Sequence, residues 1–563
     1  MKSIRSIIFL VILFNTPLLF AQTPPASAIA SSHPLATKAG MEILKQGGNA
    51  FDAAVTVGAV LAVVEPYQSG LGGGGFWLLH QAKGQFADEI VIDARERAPQ
   101  AAKANMFIDK NGKANTQLAQ IGPLAAAIPG EVAGLVYLAE HYGRLPLATT
   151  LAPAISLAEN GFLLDAPFVK MVAEHQKEFT QFPSTTEIFL NNGQLPKAKT
   201  LFKQPELANV LKAIAKEGRR GFYEGQVAKA LVDGVKEKGG IWELDDLKNY
   251  QVEVHKPLYG AYHHLKLTTI PLPSAGGIGL IEALNILAQY QLVGLSEADR
   301  KHLITESLRR VYCDRMLYLG DFEQGNVGKL LAKKHAIQWH KNIQIDKATS
   351  SKSLNCGVPF QEGEHTAHYS ILDQEGNSVA ATVTLNHHFG SRFVAPKTGI
   401  FLNNEMDDFG IQVGVANGYQ LVGHQANSIG PGKKPLSSMA PTFLYTSEGM
   451  GILGTPGGSR IPSMTLLAIL EAEHDKSPKT WVSAPRFHQQ YWPDVIYFEP
   501  DAFSLHIQHA LQIRGHKLKQ TEKPYGNMQA IFWDKAANEV YAASDPRGQG
   551  LALVEKIPLK SKK

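Results

Sequence analysis

The chain has 563 residues, 44% of them hydrophobic, and a formal net charge of only +4. That length supplies enough apolar surface to bury a large core, as one big domain or a few smaller ones. Lys and Arg are scattered rather than gathered into a stripe, which argues against a nucleic-acid-binding surface.

At the N-terminus Lys2 and Arg5 precede the apolar run from Ile7 to Phe14, and the small residue Ala21 follows. This is the pattern of an export signal cut after Ala21. Ala26-Ser27-Ala28 is an alternative cutting point, and an uncleaved anchor is the competing reading. No later stretch reaches the ~18–20 apolar residues of a membrane span, so a soluble periplasmic or secreted protein is expected. Leu35 to Gln46 has helical spacing and stops at Gly47-Gly48, while Ala53 to Val64 is apolar all round and should be a buried helix. Leu71-Gly72-Gly73-Gly74-Gly75-Phe76 lacks the Lys-Ser/Thr of a phosphate loop, which argues against nucleotide binding. Val91-Ile92-Asp93 reads as β, Pro205 to Gly218 as an amphipathic helix, and Leu265 to Ile270 as a strand stopped by Pro271-Leu272-Pro273. Cys313 and Cys356 cannot build a disulfide framework and lack metal-site spacing. Two buried thiols are the favoured reading and one optional bridge the alternative. From about residue 340 to 363 the chain is polar and irregular, which predicts an exposed, poorly structured segment suited to a cleavable linker. Short strands and Gly/Pro turns follow to the C-terminus, so the class is α+β with layered helices and sheets.

That linker ends at Thr366, within Glu364-His365-Thr366-Ala367-His368-Tyr369-Ser370. A threonine hydroxyl is a poor nucleophile without an adjacent base. A cut between His365 and Thr366 would create one, because an α-amine of pKa roughly 7.7–8.0 is substantially neutral near physiological pH. Ala367 to Leu372 and Ser378 to Leu385 read as a hairpin. A three-residue loop at Gln374-Glu375-Gly376 pairs Asp373 with Asn377 and sets Thr366 opposite Thr384. A Thr–Thr pair placed for β propensity is the bland alternative. Asn386 shares that face, and Asn403-Asn404-Glu405-Met406-Asp407-Asp408-Phe409 follows as a dense polar group. Its carboxylates could hold a substrate ammonium, against the alternative of a solvated acidic turn. Ser437-Ser438 could donate to a carboxylate, and the backbone N–H groups of Gly457-Gly458 could meet an oxyanion; ordinary turns would look the same. His365 and His368 have only a loose metal spacing, which argues against zinc.

Together these segments closely resemble the γ-glutamyltransferases, which are N-terminal-nucleophile hydrolases. The likeness runs through nearly all of the chain after the signal. It rests on Gly47-Gly48-Asn49-Ala50-Phe51-Asp52-Ala53-Ala54, Gly72 to Gly75, Asp93-Ala94-Arg95-Glu96, Thr366 to Ser370, Asn403 to Phe409, the serine pair and Pro456-Gly457-Gly458-Ser459-Arg460. The resemblance implies a four-layer αββα fold. It also implies self-cleavage before Thr366 into residues 22–365 and 366–563, which stay together as a heterodimer. Thr366 would be the nucleophile and Thr384 its supporting hydroxyl. Arg95, Ser437 and Ser438 would grip the substrate α-carboxylate, with Asn386, Glu405 and Asp408 around its α-amino group. Gly457 and Gly458 would supply the oxyanion hole. Phe409 to Val422 resembles a lid loop in which Tyr419 would act as a gate. The implied substrates are glutathione and related γ-glutamyl compounds, with water, amino acids or dipeptides as acceptors and no metal or organic cofactor. A cephalosporin-type acylase, a poly-γ-glutamate-handling relative and a processing-dead binding protein are the competing expectations.

Overall fold

The computed structural model describes residues 22–83, 86–190, 192–321, 324–354, 356, 366–412 and 425–558. The predicted signal, His365 and Tyr419 lie outside them. Thirteen strands build two sheets: β1 (Ser27–Ser31), β2 (Gly74–Lys83), β3 (Phe86–Ala94), β4 (Glu253–His255), β5 (Leu258–Tyr262), β6 (Leu265–Thr269), β7 (Ala367–Leu372), β8 (Ser378–Thr384), β9 (Thr442–Tyr445), β10 (Gly449–Gly454), β11 (Gln529–Asp534), β12 (Glu539–Ser544) and β13 (Leu551–Glu555). The first sheet runs β13-β1-β7-β8-β2-β3-β4 and the second β12-β11-β10-β9-β6-β5.

Strand alternation turns these sheets into four layers. Ala28, Ala30, Phe76, Leu78, Leu372 and Ala380 face the second sheet, where Phe443, Met450, Ile452 and Ile531 meet them. The residues between them, Ile29, Trp77, Leu79 and Ile371, face outward onto helices that include α1 (Pro34–Lys45), α2 (Ala50–Val64) and α3 (Glu131–His141). The outer face of the second sheet, through Leu267, Leu444, Leu453 and Phe532, is covered by α4 (Ala275–Leu287), α5 (Glu297–Tyr318) and α6 (Ile461–Ala472). This is the αββα sandwich that the resemblance implied. Cutting after Ala28 would remove part of β1, a fully buried central strand, whereas Ala21 precedes the first described residue.

Every residue of α2 is buried, as its all-round apolar character predicts. It begins at Ala50 rather than Ala53 because Asn49 accepts from the N–H groups of Phe51 and Asp52, while Asp52 accepts from Asn49 in a capping box. The Gly72–Gly75 run marks a crossing of main chains. A Cβ on Gly72 would lie 2.1 Å from the Phe401 carbonyl oxygen, and one on Gly73 1.9 Å from that of Thr384. The hairpin register is as counted: Asp373 N–H donates to Asn377 O at 3.0 Å, and β7 pairs β8 as Leu372 with Ser378 through Ala367 with Val383.

Two expectations change. Cys313 and Cys356 form a disulfide with Cα atoms 5.4 Å apart, because the fold brings the chain back against α5 after 43 residues. The segment from 340 is also not loose throughout its described part. Arg310 donates to Asn342 O and Thr349 Oγ1 at 2.9 and 3.1 Å, Ala348 N–H to Arg514 O at 2.7 Å, and Ser351 N–H to Asp494 at 2.9 Å. Polar composition there reflects partners far away in the chain; residues 357–365 lie outside the described ones.

Two buried histidines give the fold a pH dependence. His368, between the sheets, contacts Thr382 Oγ1 at 2.8 Å and Ser370 Oγ at 3.2 Å. His488 contacts Ser463 Oγ and Gln490 Oε1, each at 2.8 Å. Burial pushes both imidazoles down to about 3. The unfolded chain therefore binds protons that the folded chain refuses between about 6.5 and 3. Stability is fully present above 6.5 and is lost as pH falls, by up to about 1.4 kcal/mol per pH unit for each histidine. Thermal melts at pH 7 and pH 5 check this: the expected outcome is a lower midpoint at pH 5 and a shallower fall for His488→Gln.

Candidate active site

Thr366 stands at the start of β7 and is 3% exposed. Its Oγ1 lies 3.5 Å from Thr384 Oγ1 at the end of β8, the juxtaposition the hairpin count predicted. Thr384 Oγ1 accepts the Asn386 N–H at 2.8 Å. With that lone pair occupied, its own O–H proton can be offered to a neighbouring oxygen such as Thr366 Oγ1. Asn386 adopts φ 76°, a left-handed conformation that asparagine tolerates, and turns the chain off the sheet. Its side-chain amide donates to Asn404 O at 3.0 Å.

Asn403 and Asn404 then fix the polar group that follows. The Asn403 carboxamide accepts from Ala127 N–H and Glu405 N–H at 3.0 Å and donates to the carbonyls of Gly72 and Ala127 at 2.8 Å. This pins the short 3₁₀ turn Glu405–Asp408. Arg95 reaches the turn from the end of β3, where its N–H donates to Asp93 at 2.8 Å. The guanidinium, 1% exposed, places Nη1 2.7 Å from Glu405 Oε2 and 3.4 Å from Glu96 Oε2, and Nη2 2.6 Å from Asp408 Oδ2. Burial raises the carboxyls of Glu405 and Asp408 above the usual range despite Arg95, and pushes Glu96 up to about 7. The acids are thus enclosed partners of the arginine, whose charge opposes the burial that favours their neutral forms, and not the solvated turn that composition alone allowed.

Ser437 and Ser438 are held against the start of α4: Ser437 N–H donates to Pro273 O, and Ala275 N–H to Ser437 O, both at 2.9 Å. Met439 N–H donates to Ser437 Oγ at 3.1 Å, and Arg315 Nη2 to Ser438 Oγ at 3.4 Å. Gly457 and Gly458 have φ values of 137° and 52°, which glycine adopts readily, and a Cβ on Gly457 would lie 2.4 Å from Met464 Cε. Arg460 N–H closes their turn onto Gly457 O at 2.9 Å, leading into α6.

These elements meet around a small cavity lined by Arg95, Thr366, Thr384, Asn386, Glu405, Asp408, Ser437, Ser438 and Gly458. Gly457 lines the adjoining cavity. The arrangement offers a hydroxyl nucleophile, a cation, acids and serine donors within one small enclosure. His368 lies in the inter-sheet layer, away from this cavity. Clusters able to hold a metal (His302, Glu306 and His516; Asp93, Glu253 and His255; Glu282, Asp314 and His335) also lie elsewhere. Sequence reasoning assigned no role to Glu96, Asn403, Asn404 or Arg315. The two asparagines were visible as part of a dense polar group; nothing local marked Arg315 on its 22-residue helix.

A sequence profile of the γ-glutamyltranspeptidase family matches residues 36–554. The glutathione hydrolase proenzyme of Pseudomonas sp. strain A14 is 40% identical over 542 residues, covering 93% of each chain. That of Escherichia coli K12 is 37% identical, covering 92% of this chain and 90% of its own. Among solved structures, a cephalosporin acylase from Bacillus halodurans superposes with a TM-score of 0.82 at 26% identity, over 98% of this chain and 99% of that one. Helicobacter pylori γ-glutamyltranspeptidase superposes with a TM-score of 0.56 at 38% identity, over 57% of this chain and 93% of that one. With a family match over most of its length and relatives well above 30% identity, the chain belongs to the γ-glutamyltranspeptidase family.

Proposed function

We propose that this protein is an exported γ-glutamyltransferase that cuts itself before Thr366 and then uses the same hydroxyl for turnover. The observation that carries it is Thr366 Oγ1 at 3.5 Å from Thr384 Oγ1 within a cavity shared with Arg95, Asp408 and the serine pair. In the precursor, Thr366 Oγ adds to the carbonyl carbon of residue 365; an N-to-O acyl shift and hydrolysis free the α-amine. In turnover that amine takes the Thr366 hydroxyl proton as Oγ attacks the γ-carbonyl carbon of glutathione or a related amide. The N–H groups of Gly457 and Gly458 receive the oxyanion. The protonated amine then passes its proton to the leaving nitrogen, leaving a γ-glutamyl ester on Thr366. Water or an amino acid or dipeptide amine attacks the ester, and the proton returns to Oγ. Ser437 and Ser438, with Arg95, bind the α-carboxylate; Asn386, Glu405 and Asp408 bind the α-amino group; Tyr419 gates the pocket.

Residues 22–365 and 366–563 would remain a heterodimer because the strands of each are laced into both sheets. β7 lies between β1 and β8, β8 pairs β2, and β9 pairs β6. Separation would break central ladders in both layers.

A cephalosporin-type acylase is the second reading, favoured by the 0.82 superposition on such an enzyme. One assay decides between them: release of a chromogenic amine from a γ-glutamyl anilide, with and without a dipeptide acceptor, alongside denaturing electrophoresis. Two bands, amine release and faster release with acceptor are expected. A single uncut, inactive chain would sink the enzyme reading, and turnover of a cephalosporin amide but not the anilide would favour the acylase.

A further inference from the structure

Arg315 is a buried cation that forms no salt bridge among the described residues; the acid whose charge acts on it, Asp408, is already paired with Arg95. It projects from α5, is 7% exposed, and its Nε has no hydrogen-bond partner. Burial holds its guanidinium below the usual arginine range. Four other buried arginines each contact an acid: Arg95 meets Glu405, Glu96 and Asp408, Arg309 meets Glu306 and Asp494, Arg310 meets Glu306, and Arg486 meets Asp545. A buried charge without a salt-bridge partner of its own is unfavourable, so a buried arginine of this kind marks a place where a further anion belongs.

Its side-chain hydrogen bond among the described residues points to that place. Nη2 donates to Ser438 Oγ at 3.4 Å, and Ser438 lines the cavity with Thr366. A hydroxyl oxygen that accepts from a guanidinium offers its own proton on the other side, and the cation strengthens that donor. Ser437 Oγ is likewise occupied as an acceptor, by Met439 N–H at 3.1 Å. Both hydroxyls are thereby set up as donors. Arg95, in contrast, is already in contact with three carboxyl groups before any ligand enters.

We propose that Arg315 is a positioning residue for the substrate α-carboxylate, acting through Ser438 and supplying the net positive charge that Arg95 shares with its own acids. This rests on the γ-glutamyl reading of the cavity and adds to it a second, indirect cation. The ligand class follows from the chemistry: γ-amides whose reacting chain ends in a free carboxylate beside an amine.

The test compares two anilides on the processed enzyme: γ-glutamyl anilide, and 4-aminobutyryl anilide, which keeps the amine and the γ-carbonyl but lacks the α-carboxylate. Arg315→Gln is expected to raise KM for the γ-glutamyl anilide about tenfold with kcat within about twofold, the size of one charged hydrogen bond. It should leave kcat/KM for the 4-aminobutyryl anilide unchanged. Arg315→Lys should recover part of the loss, and in a Ser438→Ala background Arg315→Gln should add little, since the two act as a unit. An equal fall on both substrates would mean a merely structural role and overturn the proposal, as would no change on either. If Arg315→Gln fails to fold, the same comparison on Arg315→Lys decides. An inactive wild type would instead refute the γ-glutamyl reading itself.

Discussion

Thr366→Ala is expected to stay a single polypeptide and to lose turnover by a factor on the order of 10⁴ or more, the range seen when a nucleophile is removed. Alanine keeps the β7 backbone and the small apolar volume at a 3%-exposed position, so the fold should survive. What disappears is the oxygen 3.5 Å from Thr384 Oγ1, needed first for the acyl shift and then for the ester. Denaturing electrophoresis and anilide hydrolysis measure the two losses separately. Normal cleavage with normal activity would refute the assignment of the nucleophile. Cleavage without activity would separate maturation from turnover and assign the cut to another agent.

Arg95→Ala is expected to abolish useful activity and to destabilise the protein by roughly 3–5 kcal/mol, the cost of breaking a buried ion pair from one side. The guanidinium is the shared counter-charge of Glu405, Glu96 and Asp408, and its Nε also donates to Pro435 O at 3.1 Å, tying β3 to the segment that carries Ser437 and Ser438. Removing it takes away the cation that favours their charged forms, so Glu405, Glu96 and Asp408 shift further toward protonation or admit water. Denaturant unfolding measures the stability loss, and KM for the anilide measures the binding loss. Arg95→Lys should recover stability better than activity, since one ammonium can offset charge but cannot reproduce the fork spanning Glu405 and Asp408. Full stability for Arg95→Ala would contradict the counter-charge role.

The parts legible in the sequence were those set by local spacing. The hairpin from Ala367 to Thr384 is a period-2 pattern around a turn, so counting residues was enough to place Thr366 beside Thr384. The all-apolar run of α2 announced its own burial. Distant relations were not legible. Cys313 and Cys356 gave no sign of pairing across 43 residues, and the polar tract beyond 340 concealed its bonds to Arg310, Arg514 and Asp494. The four glycines from Gly72 could be read only as lacking the residues of a phosphate loop; their structural use, leaving room at two positions for the carbonyls of Phe401 and Thr384 more than 300 positions away, was not legible.

The sequence by itself determined the chemistry available here. A threonine at the end of a polar, irregular stretch, a second hydroxyl in register, and the family motifs in order were all readable, because periodicity and turn composition act over a few residues. Only the tertiary structure decided how charge is shared. Carboxylates from one turn surround an arginine from another strand, and Arg315 reaches the serine pair from a helix about 120 residues earlier without a salt bridge among the described residues. Electrostatics depends on distance and burial in space rather than on separation along the chain, and that is why the charge balance of the site could not be read from the sequence.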